Sequence, residues 1–277
     1  MYVKRVRNSN VEIRVAVAGA GAAGTALIEA LSAGVPGCVL SAISARDIDA
    51  ARQRFSHLKG DVAFVPVDEL EPLADLVVEC APAAIFTRVV EPFLRAGKQA
   101  LVLSSGALLT NMYLVDLARE KGGQIVVPTG ALLGLDAVTA AAEGTIHSVR
   151  MMTRKPVRGL LGAPHLANNG IDISSISEPM CVFKGSPREA AIGFPANLNV
   201  AVALSLAGIG PDRTELEIWA DPSLNRNHHD IEVDSDSAKL KLSIENIPTD
   251  NPKTGRITAL SVVAALRKLN APLRVGT

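Results

Sequence analysis

The stretch Ile13–Gly24, which reads Ile-Arg-Val-Ala-Val-Ala-Gly-Ala-Gly-Ala-Ala-Gly, decides the fold. Its first part, Ile13–Val17, is a short apolar run with β-branched residues, which is typical of a strand. Three glycines follow at the spacing GxGxxG, and Thr25–Leu31 then has the pattern of a helix. A strand, a glycine turn and a helix in this order indicate a site for a dinucleotide.

Each glycine of this turn has a separate physical task. Gly19 permits the tight turn, Gly21 lets a pyrophosphate approach the backbone, and Gly24 lets the helix pack closely against the strand. The first helical residues, Ala22 and Ala23, present backbone N–H groups and the positive end of the helix dipole to the phosphates. We expect all five residues to bind the cofactor, because three glycines at this spacing are a poor choice for stability alone.

The end of the second predicted strand, Cys38–Ile43, bears on the choice of cofactor. NAD-binding folds usually carry an Asp or Glu there for the ribose hydroxyls. The expected position falls at Ser44 or Ala45, and neither is acidic. Arg46 follows, and it either pairs with the 2′-phosphate of NADP or is solvated or stacked on the adenine. The cofactor is therefore expected to be NAD or NADP, with dual use left open.

The rest of the first 130 residues alternates apolar runs with helical stretches, which predicts a doubly wound parallel sheet. The predicted strands and helices are 74–81, 84–96, 99–103, 111–121 and 124–127. Ligands of such sheets bind at the carboxyl ends of the strands. The small or polar residues that we expect there, against the cofactor, are Cys80, Ala81, Ser104 and Ala131.

The regular alternation of strands and helices ends after about residue 145. Short strands are predicted at 149–153, 180–184 and 215–220, and helices at 186–192, 199–207 and 254–269. Between Ile231 and Ile244, apolar residues alternate with polar or charged ones, which predicts antiparallel strands with one solvent-exposed face. We expect a Rossmann-type α/β domain at 1–130 and an α+β open-faced sheet domain at 131–251. A C-terminal helix at 252–277 is expected to pack back on the first domain.

Composition excludes several classes of function. The chain has 277 residues with 28 Lys and Arg against 28 Asp and Glu, and this balance disfavours nucleic acid as a partner. The three cysteines form no CxxC pair, which argues against a disulfide scaffold and a metal site and favours a cytoplasmic location. The uncharged stretch Ala190–Pro211 is long enough to span a membrane, but its Pro, Asn and Gly residues favour a shorter buried helix.

A local basic region is a candidate substrate site. The stretch Gly144–Ile171 has no acidic residue. Its cations are Arg150, Arg154, Lys155 and Arg158. Guanidinium and ammonium groups in this region either bind a small dicarboxylate or form the solvated basic edge of a sheet.

The adjacent pair His228 and His229 is a candidate for proton transfer, because a histidine titrates near neutrality. Neighbouring residues of a strand point to opposite faces, so at most one of the two is expected to face a crevice. Asn197 and Asn199 flank the start of an apolar helix, where each either caps the helix or binds the nicotinamide carboxamide. Lys253, before the expected N-cap Thr254, is a further candidate for a phosphate or carboxylate.

Several motifs together resemble the L-aspartate dehydrogenase family. In addition to the glycine turn, they are Pro128–Ala137, Thr153–Pro156, Phe194–Ala201, Asn227–Ile231 and Asn251–Thr254. They occur in the family's order over nearly the whole chain. The family is similar in fold to homoserine dehydrogenase and dihydrodipicolinate reductase, which also join a Rossmann domain to an open-faced sheet domain. Gly255 departs from the pattern, since Ser is common there.

The resemblance implies NAD(P)-dependent oxidative deamination of L-aspartate to iminoaspartate, and then to oxaloacetate and ammonia, in a reversible reaction linked to NAD biosynthesis. It implies His229 as the catalytic acid and base. It implies nicotinamide contacts at Ala131 and at Asn197 or Asn199. The substrate residues are expected to be Arg154, Lys155, Asn227 and Lys253. The resemblance also implies a homodimer, with 131–251 as the domain for substrate binding, catalysis and dimerisation. The alternatives are a related dehydrogenase or reductase acting on homoserine or a semialdehyde derivative, and a non-catalytic NAD(P) sensor.

Overall fold

The structure is a computed structural model that describes residues 12–195, 198–249 and 255–276. Its contacts divide the chain into two compact units. The first contains the residues up to Leu101 together with Leu114–Val126 and Val263–Arg274. The second contains Val102–Tyr113, Val127–Val262 and the residues from Val275. The domain limits at residues 130 and 251 stay a prediction.

The first unit is built on a six-stranded sheet. Its strands are β1 (Ile13–Ala18), β2 (Cys38–Ser44), β3 (Ala63–Phe64), β4 (Leu76–Glu79), β5 (Gln99–Val102) and β6 (Gln124–Val126). Their order is β3-β2-β1-β4-β5-β6, and the pairs β1–β2, β1–β4, β2–β3 and β5–β6 are parallel. This is the strand order of a dinucleotide-binding doubly wound sheet. The Rossmann-type architecture predicted from the glycine turn is therefore confirmed.

Helices connect these strands. They are α1 (Ala22–Gly34), α2 (Ile48–Arg54), α3 (Phe86–Arg95), α4 (Ser105–Leu109) and α5 (Tyr113–Lys121). The central strands β1 and β4 are almost completely buried, as expected for strands covered on both faces. The short helix α4 was not predicted, because five residues carry too little periodicity to distinguish a helix from a loop.

The second unit contains a five-stranded sheet. Its strands are β7 (Ile146–Pro156), β8 (Met180–Gly185), β9 (Glu215–Asp221), β10 (Asn227–Ser235) and β11 (Lys239–Asn246), in the order β11-β10-β7-β9-β8. The predicted antiparallel pairing of β10 with β11 is confirmed. The pair β7–β9 is parallel, so the sheet is mixed rather than purely antiparallel.

One face of this sheet packs on a hydrophobic core. Besides α4, which the contacts assign to this unit, its helices are α6 (Leu135–Ala142), α7 (Val157–Leu160), α8 (Pro164–Asn168), α9 (Pro187–Gly193) and α10 (Asn199–Ala207), followed by α11 (Arg256–Asn270), whose residues from Val263 belong to the first unit. Apolar side chains of α6 and α10 share the core with those of β7, β9 and β10. In the first unit, Asn270 near the end of α11 donates from Nδ2 to the Gly37 carbonyl, at 2.9 Å.

The uncharged stretch 190–211 contains the end of α9 and the whole of α10, two short helices rather than one long one. Across the described ranges, every helix is too short or too polar to traverse a lipid bilayer.

Candidate active site

In the first unit, the glycine turn is held in place by its own neighbours. The Gly19 N–H donates to the Ser44 carbonyl at 2.8 Å, and the Ala20 carbonyl accepts from Thr25 Oγ1 at 3.1 Å and from Arg54 at 3.2 Å. Gly19 has a φ of 107°, and a Cβ there would lie 2.5 Å from the Cys80 carbonyl oxygen. A Cβ on Gly24 would lie only 1.8 Å from the Gly19 carbonyl oxygen. Packing therefore requires a glycine at both positions.

Gly21 differs from these two glycines. It is exposed, its φ is −74°, and a Cβ added to it would meet no atom of the described structure within 4 Å. Helix α1 begins at the next residue, with no side-chain cap and no acidic residue in its first turn. The open space and the uncapped N–H groups of Ala22 and Ala23 fit an anionic pyrophosphate, since helix N-termini attract phosphate.

This contrast gives a prediction for two alanine variants. Gly21→Ala should fold with wild-type thermal stability, because its Cβ points into open space, yet it should bind NADH and NADPH at least about tenfold more weakly, because the methyl group occupies the pyrophosphate's place. Gly19→Ala should lose stability, because of its positive φ and the clash with Cys80. Nucleotide fluorescence titrations and thermal melts measure both. Wild-type affinity in Gly21→Ala would contradict this placement of the pyrophosphate.

The residues expected to choose between NAD and NADP lie at the end of β2. Ser44 is buried, Ala45 is half-buried and Arg46 is exposed. The carboxylate of the following Asp47 accepts the Ala50 N–H at 2.9 Å and caps α2. The nearest acid is thus engaged in helix capping, and the role of Arg46 stays a prediction.

The end of β4 lies directly against the glycine turn. The Cys80 N–H donates to the Ala18 carbonyl at 2.8 Å, and burial raises the pKa of the Cys80 thiol, which is consequently neutral. Glu79 is fully buried, and its carboxylate accepts the Ala81 N–H at 3.0 Å. Cys80 and Ala81, both predicted from the strand ends, therefore form one wall of the turn, and Glu79 shapes that wall.

In the second unit, His229 lies on the core-facing side of β10. It pairs across the sheet with Thr153 of β7, and its Nδ1 lies 2.8 Å from the Thr153 hydroxyl. The exposed fractions are 1% for His229 and 2% for Thr153. His228 points to the other face, where its Nε2 contacts the Ser243 hydroxyl at 3.0 Å. The two histidines thus have opposite orientations, as strand alternation predicts.

The surroundings of His229 disfavour its charged form. Burial, the positive charge of Lys155 and the proximity of His228 lower the pKa of His229 from 6.5 to about 3. The imidazole is therefore neutral at physiological pH. A neutral imidazole can accept a proton at one ring nitrogen, which is what a general base requires.

The lowered pKa gives a prediction about stability and pH. Between pH 6.5 and about 3 the unfolded chain binds a proton on His229 that the native state does not bind, so the stability falls as the pH falls. From pH 7 to pH 5 the wild type should lose about 2 kcal/mol more than His229→Gln, at about 1.4 kcal/mol per pH unit below pH 6.5. Urea titrations measure this difference, with His147→Gln as an exposed-histidine control. An identical pH dependence in His229→Gln would contradict it.

The four cations of the acid-free region do not form one patch. Alternation along β7 places Lys155 on the same face as Thr153, where it is buried, with 4% exposed. Arg154 points to the opposite face and lines a groove there with Glu217 and Asp230. The structure thus brings Lys155, but not Arg154, together with His229.

The other two cations have partners elsewhere. On the surface, Arg150 pairs with Glu215 at 3.0 Å. The remaining cation, Arg158, donates to a backbone carbonyl.

Asn227 and Ala131 are connected to this face through a residue that the sequence analysis missed. Asn227 precedes His229 by two positions and pairs across the sheet with Asn246 of β11. Asn246 is buried, and its Nδ2 donates to the Ala131 carbonyl at 2.8 Å. The same side chain therefore holds Ala131 beside the strand end that carries Asn227.

Asn199 holds the segment that follows β5. Its carboxamide oxygen accepts the Gly106 N–H at 3.0 Å, and its carbonyl accepts the Ser105 hydroxyl at 2.7 Å. Asn199 is thus the first residue of α10 and stabilises the N-terminus of α4, where Ser104 is the N-cap residue. Asn197 and Lys253, and also Thr254, lie outside the described residues. The nicotinamide and substrate roles of these residues stay predictions.

Comparison with known proteins decides the family. A family model described as the NAD-binding domain of homoserine dehydrogenase matches residues 19–128, and one described as the C-terminal part of aspartate dehydrogenase matches residues 136–269. The L-aspartate dehydrogenase of Bradyrhizobium diazoefficiens is 56% identical over 98% of this chain and 96% of its own. The L-aspartate dehydrogenase 3 of Bordetella bronchiseptica is 59% identical over 98% of this chain and 100% of its own.

The chain belongs to the L-aspartate dehydrogenase family. It is an oxidoreductase that uses NAD or NADP, as the glycine turn predicted. The crystal structure of aspartate dehydrogenase from Thermotoga maritima has the same fold, with a TM-score of 0.70 and 24% identity over 96% of this chain and 100% of that one. The family resemblance and the fold class predicted from the sequence are both confirmed.

Proposed function

We propose that this chain oxidises L-aspartate to iminoaspartate with NAD(P)⁺, and that water then converts the imine to oxaloacetate and ammonia. The observation that carries the proposal is the buried pair of His229 and Lys155 on one face of the second sheet. A neutral base beside a buried ammonium suits a substrate with an amine to deprotonate and carboxylates to bind. The names of the relatives at 56–59% identity agree with this substrate.

When bound at the glycine turn, NAD(P)⁺ would supply the acceptor for the hydride that leaves C2 of the substrate. His229 accepts the proton that the substrate ammonium must lose before the C–N double bond can form. Lys155 binds a substrate carboxylate and fixes the orientation of C2. His229 then releases the proton of the substrate ammonium to solvent. In the second stage it removes a proton from the attacking water and returns it to nitrogen, so that the amino group leaves as ammonium. The stoichiometry is one aspartate in its ammonium form, one NAD(P)⁺ and one water to one oxaloacetate, one ammonium ion, one NAD(P)H and one proton.

The glycine turn supports the cofactor half of this mechanism. Gly21 leaves room for the pyrophosphate at the N-terminus of α1, and the wall formed by Cys80 and Ala81 is fixed by the buried Glu79 carboxylate. Ala131, Asn197 and Asn199 are proposed on the nicotinamide side, and Asn227 and Lys253 are proposed near the substrate.

From the family resemblance alone, we infer that the reaction is reversible, that the imine feeds NAD biosynthesis, and that the enzyme is a cytoplasmic homodimer. Size-exclusion chromatography with light scattering tests the dimer.

A substrate panel tests the proposal. Initial rates are measured with NADH and with NADPH against oxaloacetate plus ammonia, oxaloacetate alone, and aspartate semialdehyde, and in the forward direction against L-aspartate and L-homoserine. We expect reduction only of oxaloacetate with ammonia, and oxidation only of L-aspartate. Turnover of homoserine or the semialdehyde without turnover of aspartate would contradict the proposed substrate.

A further inference from the structure

We propose that Thr153 is a positioning residue that sets the tautomer of His229 and so makes Nε2 the nitrogen that exchanges protons with the substrate. This inference rests on the proposed function, in which His229 is the base. It adds a residue that the sequence analysis did not single out as functional.

The geometry leaves one ring nitrogen of His229 for chemistry. Thr153 and His229 face each other directly across β7 and β10, and the Thr153 Oγ1 lies 2.8 Å from His229 Nδ1, within hydrogen-bond range. Both side chains are almost fully buried. Because Nδ1 is engaged in this hydrogen bond, proton transfer to or from a substrate must occur at Nε2.

The direction of the hydrogen bond follows from the role of the base. A neutral imidazole has one N–H and one lone pair. For Nε2 to accept a proton from the substrate ammonium, Nδ1 must carry the hydrogen, and the Thr153 hydroxyl oxygen must accept it. When His229 becomes protonated, Nδ1–H still donates to the same oxygen. The Thr153 hydroxyl therefore accepts a hydrogen bond from Nδ1 in both the neutral and the protonated form of His229, and it stays uncharged in both.

A hydroxyl in this place also keeps the base weak. A carboxylate facing Nδ1 would favour the imidazolium and raise its pKa. The groups that face His229 from the neighbouring strands are Thr153 and Lys155 of β7 and the apolar Ile244 of β11. Lys155 is a cation and disfavours the imidazolium, so nothing among these groups opposes the neutral form. Thr153 orients the ring without adding negative charge.

The kinetic test compares three variants. Thr153→Val removes the hydroxyl at nearly constant volume, and Thr153→Ser retains it. Thr214→Val is the matched control, because Thr214 is also buried and its hydroxyl donates to a backbone carbonyl, that of Gly210, at 2.9 Å. We expect Thr153→Val to lower kcat about 10- to 100-fold with an unchanged KM for NAD(P)⁺. Thr153→Ser should stay within about threefold of wild type, and Thr214→Val should keep the wild-type kcat.

Nitrogen-15 NMR of the histidine ring provides a readout that a purely structural role would not change. In the wild type at pH 7, His229 should show a protonated Nδ1 and an unprotonated Nε2. In Thr153→Val the tautomer should shift toward hydrogen on Nε2. A wild-type ring with hydrogen on Nε2 overturns the inference even if Thr153→Val does not fold.

The outcomes separate this inference from the proposed function. If His229→Asn is inactive while Thr153→Val retains the wild-type kcat and ring tautomer, only the role of Thr153 fails. If His229→Asn turns over L-aspartate at the wild-type rate, the assigned base is wrong, whatever Thr153 does.

Discussion

Replacing His229 with alanine should lower kcat for L-aspartate oxidation by about 10²–10⁴-fold, because the variant lacks the group that accepts the substrate's proton. The ring is neutral in the resting enzyme and so has a lone pair that can accept a proton. The affinity for NADH or NADPH should stay within about threefold of wild type, since the dinucleotide turn belongs to the other unit. Steady-state kinetics and nucleotide fluorescence titrations measure the two quantities.

His228 offers a matched control for this variant. It is the adjacent residue on the same strand, but it points to the opposite face and contacts Ser243. His228→Ala should keep kcat within about threefold of wild type. Because His229 is buried, His229→Asn is measured beside the alanine variant to limit the effect of a cavity. Near-wild-type turnover in both His229 variants would remove His229 from the mechanism.

Replacing Lys155 with methionine should raise the KM for L-aspartate about 30-fold or more. The ammonium is buried, and the loss of one partner from a buried charge pair costs about 2–5 kcal/mol of binding free energy. Methionine keeps much of the side-chain volume, so the fold should be retained. The KM for NAD(P)⁺ should change little. Initial rates over a wide range of aspartate concentrations measure the effect.

Arg154 is the control for Lys155, since it precedes it in the sequence and lies on the opposite face of the sheet. Arg154→Met should leave the KM for L-aspartate within about threefold of wild type. If Arg154→Met raises this KM and Lys155→Met does not, the substrate carboxylate binds on the other face of the sheet, and the placement proposed for it is wrong.

Local patterns were sufficient to predict the glycine turn and the parallel sheet of the first unit. The spacing of Gly19, Gly21 and Gly24 after an apolar strand determines a turn that few other structures require, and the structure contains that turn. Strand alternation was likewise enough to place His228 and His229 on opposite faces. These features depend on residues close together in the chain, so the sequence contains the information directly.

The contacts of the candidate site depend on distant residues, and these could not be predicted. The hydroxyl of Thr153 meets a histidine 76 positions away, and Asn246 meets the carbonyl of Ala131 across 115 positions. Alternation alone did not separate Lys155 from Arg154, because the sequence does not specify which face of β7 is buried near its end. Asn199 was expected to cap a helix or bind the nicotinamide, and the contact of its oxygen with the N–H of Gly106, 93 positions earlier, is not indicated by any local pattern.

Isotope transfer from labelled substrate tests the proposed reaction with one measurement. The enzyme is incubated with L-[2-²H]aspartate and NAD⁺ or NADP⁺, and the reduced nucleotide, oxaloacetate and ammonia are quantified by mass spectrometry and enzymatic assay. We predict one deuterium in each reduced nucleotide, with oxaloacetate and ammonia formed in equal amounts to it. Reduced nucleotide without deuterium, or no reduction of either nucleotide by L-aspartate, would contradict hydride transfer from C2 of aspartate.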